Sequence, residues 1–179
     1  YMKSTENCAQ STYLALSDVF GLENNVDIKA LTAIPGIAER GEICGCIISS
    51  LLAIGLEYGS DNHGDRSAYE RTLVPANRIC DQFEAMAGSS RCSDILEKKF
   101  GKKLNLRTAA DLHEYRANDG PAYCTTLVQK AVKITANQLL AKNLKGRLLI
   151  CTGDIDNNVH PGNTIRMANA LIKANKRFD

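Results

Sequence analysis

The sequence predicts a mainly helical protein, a compact helical bundle followed by a short strand-loop-helix appendage. Three observations support this fold class: apolar residues recur at helical spacing through the first three-quarters of the chain, capping residues precede these runs, and the pattern changes after residue 143. The chain has 179 residues, of which 44% are hydrophobic, and this length fits one domain with an appendage. We therefore expect a helical domain over residues 1–142 and an appendage over residues 143–179.

The helices of the predicted bundle follow from local patterns. They cover residues 6–20, 27–33, 42–58, 67–87, 92–100, 109–117 and 122–142. The segment 42–58 is apolar on all sides in its middle, which is typical of a helix at the centre of a bundle. Pro75 must either kink its helix or mark the first turn.

The appendage begins with an apolar stretch at residues 147–152 that predicts a buried strand. A turn-rich loop and a helix at residues 161–176 follow it. A single strand cannot pair its own backbone groups. We therefore expect this segment to pair with another chain, to be buried by the bundle, or to form helix instead.

Bulk properties exclude several classes of partner. A net charge of +2 gives no reason to expect nucleic acid or an anionic membrane as a partner. No apolar run approaches the roughly 20 residues that a membrane span needs, and the first residues show no signal-peptide pattern. Seven cysteines without a small secreted scaffold favour a reduced, cytoplasmic setting over a disulfide framework.

Four of the cysteines stand where a helix is predicted to begin. They are Cys8, Cys44, Cys92 and Cys124. The first turn of a helix carries unpaired N–H groups and about half a positive charge, which favour thiolate over thiol. Thiolates attack disulfides and bind metal ions, so these helix starts predict a redox or metal site if they converge. If they diverge, the four are ordinary buried thiols.

The other three cysteines, Cys46, Cys80 and Cys151, are assigned to other parts of the fold. Cys44 and Cys46 would point about 200° apart on a regular helix, so both could face one site only if Gly45 lay in a loop. We predict Cys44 as the site residue and Cys46 as a small buried hydrophobic residue. Cys80 is predicted to lie in the core, and Cys151 lies on the predicted strand.

A resemblance to a known family rests on four stretches of the sequence. They are Asn7-Cys8-Ala9-Gln10, Arg40-Gly41-Glu42-Ile43-Cys44-Gly45, Arg91-Cys92, and Cys124 with Leu127-Val128. In order and spacing they resemble the C-GCAxxG-C-C family of redox-active proteins, over about residues 4–142. We align Cys44 with the central cysteine of the motif, and this alignment predicts two departures from it: Cys46 at its alanine and Ser49 at its second glycine.

This resemblance implies that Cys8, Cys44, Cys92 and Cys124 are the four cysteines of the family and act in redox chemistry. In a thiol–disulfide version, Cys44 attacks and a second cysteine resolves the mixed disulfide. In a metal version, all four hold an iron–sulfur cluster and pass electrons, or they hold zinc. The sequence leaves these versions open, together with a structural or zinc-stabilised oligomerisation module. We expect a homo-oligomer and a redox partner that the sequence does not identify.

The appendage carries a second resemblance. Its stretches Gly146-Arg147-Leu148-Leu149-Ile150 and Gly153-Asp154-Ile155-Asp156-Asn157-Asn158-Val159-His160-Pro161 are similar to the end of the prolyl oligopeptidase and dipeptidyl peptidase catalytic domain. The resemblance implies that Asp156 matches the acid of the Ser-Asp-His triad, whereas His160 is not the triad histidine. No Gly-x-Ser-x-Gly nucleophile motif occurs in the sequence. We therefore expect Asp156 to be inactive, as part of a non-catalytic peptidase fragment or fusion.

Overall fold

A computed structural model describes residues 1–22 and 26–143 of the chain. These residues are mostly helical and contain no strand, which confirms the mainly helical fold class. The predicted strand at residues 147–152 and helix at residues 161–176 lie outside the described residues. The chain divides into two compact units, Tyr1–Thr135 and Ala136–Asp179. The cysteine-rich site lies in the first unit.

The described residues form eight α-helices and one short 3₁₀ helix, joined by loops. The α-helices are α1 (Met2–Thr5), α2 (Cys8–Phe20), α3 (Gly36–Glu39), α4 (Gly45–Tyr58), α5 (Arg66–Ala87), α6 (Cys92–Phe100), α7 (Ala109–Ala117) and α8 (Gly120–Asn143), and the 3₁₀ helix Ile28–Leu31 lies between α2 and α3. The short helices α1 and α3 have no counterpart in the prediction. None of the described helices is both long and apolar enough to cross a bilayer.

Capping residues determine where the helices begin. The side chain of Asn7 accepts hydrogen bonds from the backbone N–H groups of Ala9 and Gln10, at 3.1 and 3.0 Å. The hydroxyl of Thr108 accepts one from the backbone of Asp111 in the same way. These bonds satisfy amides that have no partner inside the helix. They place Cys8 at the first residue of α2, as the sequence predicts.

Pro75 lies inside α5, which runs without interruption from Arg66 to Ala87. The true start of this helix is capped by Asp65, whose carboxylate accepts a hydrogen bond of 2.8 Å from the backbone of Ala68. Of the two possibilities that the sequence leaves for Pro75, the first-turn position is therefore wrong. Because proline has no N–H, α5 lacks one of its backbone hydrogen bonds there.

The core is built around the first half of α4, which packs against α2 and α5. One hydrophobic cluster contains Cys44, Cys46, Ile47, Phe83, Ala87, Ile95, Leu127, Val128 and Ala131. The second half of α4 is less enclosed in the described part of the chain, since Leu51 and Leu52 are half-buried and Leu56 is exposed. The prediction that α4 is central therefore holds for the end that carries the cysteines.

Ser49 joins α4 to α2 through a buried hydrogen bond. Its side chain is fully buried, and its hydroxyl donates a hydrogen bond of 2.7 Å to the backbone carbonyl of Ala9. The two helices therefore approach closely around this serine. Ser50, the next residue, is also fully buried, but its hydroxyl has no partner among the described residues.

We expect Ser49→Ala to lower the free energy of unfolding by about 1–2 kcal/mol, because a buried hydrogen bond between two helices is lost. Urea denaturation of the reduced, metal-free protein measures this change. Ser50→Ala is the matched control, since it removes a hydroxyl that makes no bond, and it should leave stability unchanged or slightly higher. Equal losses in both variants would show that the bond to Ala9 does not stabilise the pair of helices.

Candidate functional site

Five cysteine side chains surround one small cavity in the first unit. They are Cys8, Cys44, Cys46, Cys92 and Cys124, and the rest of the wall is formed by Ile95, Leu96 and Leu127. The cavity has a volume of about 20 Å³. This is enough for one water-sized particle or ion. The four predicted site cysteines therefore converge, as the redox or metal prediction requires.

Backbone pairing brings two of the helix starts together. The N–H of Cys44 donates to the carbonyl of Ser90 at 2.8 Å, and the N–H of Cys92 donates to the carbonyl of Glu42 at 2.7 Å. The segment before α4 thus lies antiparallel to the segment before α6, with one isolated β-bridge between them. This short ladder places Cys44 and Cys92 side by side as each helix begins.

Gly45 allows α2 to bring Cys8 against the start of α4. A Cβ atom built on Gly45 would lie 2.8 Å from the Sγ of Cys8 and 3.0 Å from the Cβ of Ala9. Both distances are shorter than ordinary contacts between such atoms. Glycine is therefore required at this position for the Cys8 sulfur to reach the cavity.

Three of the sulfurs form the tightest group. The Sγ atoms of Cys8, Cys44 and Cys46 all lie within 4.8 Å of one another. Cys46 is fully buried, as predicted, but it lines the cavity beside the predicted site residues. The prediction assumed a regular helix through Cys44. Because Cys44 precedes the helix with an extended backbone (φ −61°, ψ 132°), the two side chains are not held 200° apart.

Cys44 is the thiol best stabilised as a thiolate. The thiols of Cys46 and Cys8 donate hydrogen bonds to its sulfur, and the backbone N–H groups of Cys46 and Ile47 add to them, which together lower its pKa well below the usual range. The amide donors belong to the first turn of α4, as expected for a cysteine at a helix start. Cys44 is also only 5% exposed. The central thiolate is therefore an internal group.

The other four thiols are held in the protonated form. The hydrogen bonds to Cys44 are the largest cause that raises the pKa of Cys8 and of Cys46. Burial, followed by the negative charge of nearby cysteines, raises the pKa of Cys92 to about 12. Burial also raises the pKa of Cys124 to about 11. Among the residues that the structure describes, no cationic side chain lines the cavity to offset further negative charge.

A larger cleft reaches the same centre from outside. It has a volume of about 120 Å³, and three of its lining residues are Cys8, Cys92 and Cys124. Much of the remaining lining is apolar and includes Leu96, Leu104, Leu106 and Leu112. Cys44 and Cys46 do not line this cleft. The five thiols are thus divided between an outer group, which faces both spaces, and an inner pair.

Tyr115, which lines the cleft, makes a hydrogen bond to one of the cysteines. Its hydroxyl donates a hydrogen bond of 3.1 Å to the Sγ of Cys124. This bond stabilises the thiolate form and opposes the effect of burial on the pKa of Cys124. Tyr115 was not among the site residues predicted from the sequence. Its position on α7, nine residues before Cys124, gives no local signal for the contact.

We expect Tyr115→Phe to raise the pKa of Cys124, because the hydrogen bond that favours its thiolate is removed. The thiolate fraction then falls at any pH below the pKa, so alkylation of Cys124 by iodoacetamide should slow by about tenfold, as for one hydrogen bond to a charged acceptor. Mass spectrometry of the reduced, metal-free protein between pH 8 and 10 measures this rate.

Tyr123→Phe is the control for this change, because it removes a tyrosine hydroxyl from the residue next to Cys124. The ring of Tyr123 faces the ammonium group of Lys99, at 5.8 Å. Its alkylation rates should match those of the unmodified protein. A Tyr115→Phe variant with an unchanged pH profile at Cys124 would exclude a role of the hydroxyl in setting this pKa.

Comparison with known proteins agrees with this arrangement. Residues 6–138 match the model of a family described as "Putative redox-active protein (C_GCAxxG_C_C)". The chain belongs to this family. It is also 28% identical over 147 residues to an "Uncharacterized protein" of Archaeoglobus fulgidus, an alignment that covers 77% of this chain and 87% of the relative. No solved structure gives a significant match.

The C_GCAxxG_C_C family match covers all the cysteines of the cavity. The motif in the family's name reads Gly-Cys-Ala-x-x-Gly, and Gly45-Cys46 is the Gly-Cys pair of the sequence, so the alignment of Cys44 with the motif cysteine was wrong. Cys46 stands at that cysteine, Ile47 at the motif alanine and Ser50 at the second glycine.

Cys8 and Cys92 are the first residues of α2 and α6, and Cys44 directly precedes α4, as predicted. The prediction for Cys124 was wrong in one respect, because α8 begins at Gly120 and Cys124 lies in its second turn. Pro121 is the local signal for this earlier start, since proline is favoured in the first turn of a helix.

The remaining sequence predictions lie away from this centre. Cys80 is half-buried on α5, packs against the hydrophobic core and lines neither space, which agrees with its assignment to the core. Cys151 and Asp156 lie outside the described residues, and the family match ends at residue 138. The peptidase-like character of residues 143–179 therefore stays a prediction from the sequence.

Proposed function

We propose that this member of the family is a redox protein whose cysteine centre binds a single iron ion through thiolates. The observation that carries the proposal is the convergence of five cysteines on one small cavity: Cys8, Cys44, Cys46, Cys92 and Cys124. Soft thiolate ligands select iron, zinc or Cu(I), and four sulfurs give a tetrahedral site. Iron held in this way accepts and donates one electron, which accounts for redox activity without a change in the protein's covalent bonds.

Electrostatics supports a metal ion in the cavity. Burial and the negative charge of Cys44 raise the pKa of Cys92 and of Cys124, and no cationic side chain of the described residues lines the wall. Cys44 is therefore the thiol that is stabilised as a thiolate without an added positive charge. A metal ion supplies this charge and displaces the thiol protons. Burial of Cys44 and the apolar wall would then keep water away from the bound ion.

The size of the cavity favours one ion over a cluster. A space of about 20 Å³ accepts one ion, whereas an iron–sulfur cluster adds several iron and sulfide atoms between the thiolates. The three sulfurs that lie within 4.8 Å of one another also match ligands of a common ion. A cluster would require these side chains to move apart.

Thiol–disulfide exchange is the second candidate, favoured by the low pKa of Cys44 beside Cys8. The sequence analysis expects Cys44 to attack first, but Cys44 does not line the outer cleft. We therefore assign the first attack, on a disulfide of the redox partner, to a thiolate of the outer group, which releases one partner thiolate. The Cys44 thiolate would then attack the outer sulfur, releasing the second one. The protein is oxidised by two electrons to a disulfide, and the partner is reduced to two thiols. The raised pKa of Cys92 and Cys124 makes the first attack slow at neutral pH.

Metal and acid-labile sulfide analysis of protein purified without oxygen tests the proposal, together with its visible spectrum. Iron without sulfide, and a thiolate-to-iron band that disappears on reduction, is the expected result. Iron with sulfide would replace the single ion by a cluster, and zinc alone would indicate a structural centre. Protein that contains no metal and takes up none, but forms a disulfide reversibly, would exclude the metal centre in favour of the second candidate.

A further inference from the structure

The cleft outside the cysteine centre has the size and the lining of a small-molecule site. Its volume is about 120 Å³, and an apolar cavity of about 150 Å³ is enough to hold benzene. Much of its wall is apolar, with Met2, Pro35, Leu96, Leu104, Leu106 and Leu112. We propose that this cleft binds a small uncharged aromatic molecule with one hydrogen-bond donor, a ligand of the size of phenol. This site goes beyond the proposed function, because it does not depend on a metal ion.

The cleft runs from a half-buried inner end to an exposed mouth. Cys8, Cys92 and Cys124 are half-buried and line both the cleft and the small cavity, so they form the inner end. The charged residues of the lining are all exposed, and they are Glu6, Glu39 and Arg116. A ligand in the cleft therefore has its body among leucine side chains and thiols, and only its outer end reaches charged groups.

The charges at the mouth disfavour a charged ligand. Arg116 lies 3.6 Å from the carboxylate of Glu6, and Glu39 lines the same cleft. An anion would therefore meet two carboxylates and a guanidinium group that already has a partner. A cation among the leucines and thiols would lose its water without gaining a carboxylate, since both carboxylates lie at the mouth, and this loss is costly. An uncharged molecule avoids both penalties.

Sulfur atoms and a tyrosine oxygen favour an aromatic ring with a donor group. Met2 and the three cysteines contribute sulfur-bearing side chains to the lining, and sulfur makes favourable contacts with aromatic rings. Tyr115 donates its hydroxyl hydrogen to the Sγ of Cys124, at 3.1 Å. A hydroxyl has one hydrogen, so the lone pairs of the Tyr115 oxygen are left to accept. A ligand with an O–H or N–H group therefore suits the cleft better than one with carbonyl groups alone.

The experiment is isothermal titration calorimetry of the full chain, purified without oxygen, with four probes added one at a time. Phenol carries the ring and the donor, and toluene has the same size without the donor. Benzoate adds a negative charge to the ring, and benzylamine adds a positive one. The four affinities separate the contributions of the ring, the hydrogen bond and the charge.

Two variants locate the site. Leu106→Trp places a bulky ring in the cleft, and Leu73→Trp is the matched control, since Leu73 is 38% exposed on α5 and does not line the cleft. A third variant, Tyr115→Phe, removes the acceptor and keeps the ring. Circular dichroism shows whether each variant is folded.

We expect the unmodified protein to bind phenol with a dissociation constant of about 1 mM or lower. Toluene should bind about fivefold more weakly, as for the loss of one hydrogen bond. Benzoate and benzylamine should bind at least about tenfold more weakly than phenol. Leu106→Trp should weaken phenol binding by at least about tenfold, and Leu73→Trp should not change it. Tyr115→Phe should lower the affinity for phenol to about that for toluene and leave toluene binding unchanged.

Equal affinity for phenol in the Leu106→Trp and Leu73→Trp proteins would overturn the proposal, as would an unmodified protein that binds no phenol. Benzoate or benzylamine bound as tightly as phenol would overturn the uncharged class of ligand. If Leu106→Trp does not fold, Tyr115→Phe decides, and an unchanged affinity for phenol refutes the site. The proposed function fails separately, through the metal analysis, and neither result decides the other.

Discussion

Replacing Cys44 by serine is expected to abolish metal binding and redox activity together. Cys44 supplies the thiolate with the lowered pKa and lies in the tight group of three sulfurs, and a serine hydroxyl is a poor ligand for soft ions. We expect the iron content to fall to background and the affinity for cadmium to drop by at least about 100-fold, beyond the range seen for supporting residues. Metal analysis and chelator competition measure these changes.

Cys80→Ser is the matched control for this variant, because it removes a thiol from the same core but outside the cavity. It should retain the metal content and the redox behaviour of the unmodified protein. Circular dichroism and thermal denaturation show whether both variants remain folded. A folded Cys44→Ser protein with unchanged metal content and unchanged redox behaviour would contradict both candidate functions.

The second large effect is expected from Gly45→Ala, which adds a single methyl group. This group would lie 2.8 Å from the Sγ of Cys8 and 3.2 Å from the backbone nitrogen of Ala9, so α2 and α4 must separate. Overpacking of this kind costs about 1–3 kcal/mol of stability. Because the Cys8 sulfur is also displaced, we expect cadmium affinity to fall by at least about tenfold.

The same substitution elsewhere in α4 provides the control. A Cβ atom on Gly55 would meet nothing within 4 Å, so Gly55→Ala should stabilise the protein by up to about 1 kcal/mol through helix propensity. Urea denaturation and chelator competition compare the two variants. Similar stability and similar affinity in both would show that the contact between Gly45 and Cys8 does not position the sulfur.

The parts of the fold that depend on neighbouring residues could be predicted from the sequence. Asn7 and Thr108 cap their helices by bonds to residues two or three positions ahead, so α2 and α7 begin where predicted. The helix-start positions of Cys8 and Cys92 follow from such local patterns as well. The start of α8 was placed too late because the signal from Pro121 was not used.

The site itself depends on contacts that the sequence does not encode locally. Cys46 was assigned to the core because two cysteines two residues apart diverge on a regular helix, and the sequence did not show that Cys44 has an extended backbone. The hydrogen bond from Tyr115 to Cys124 depends on the turn between α7 and α8. The convergence of Cys8, Cys44, Cys92 and Cys124 is a property of the packed bundle, so the sequence could not predict whether it occurs.

The backbone ladder between the segments before α4 and α6 affects the order in which the molecule is made. Its two halves are separated by the whole of α4 and α5, so Cys44 and Cys92 meet only after α5 has been synthesised and has folded back. Cys124 follows still later along the chain. The thiols of the cavity can therefore come together only once synthesis has passed α6 and reached α8. An ion that binds the finished centre then holds together segments that are distant in the sequence, and its affinity adds directly to the stability of the fold.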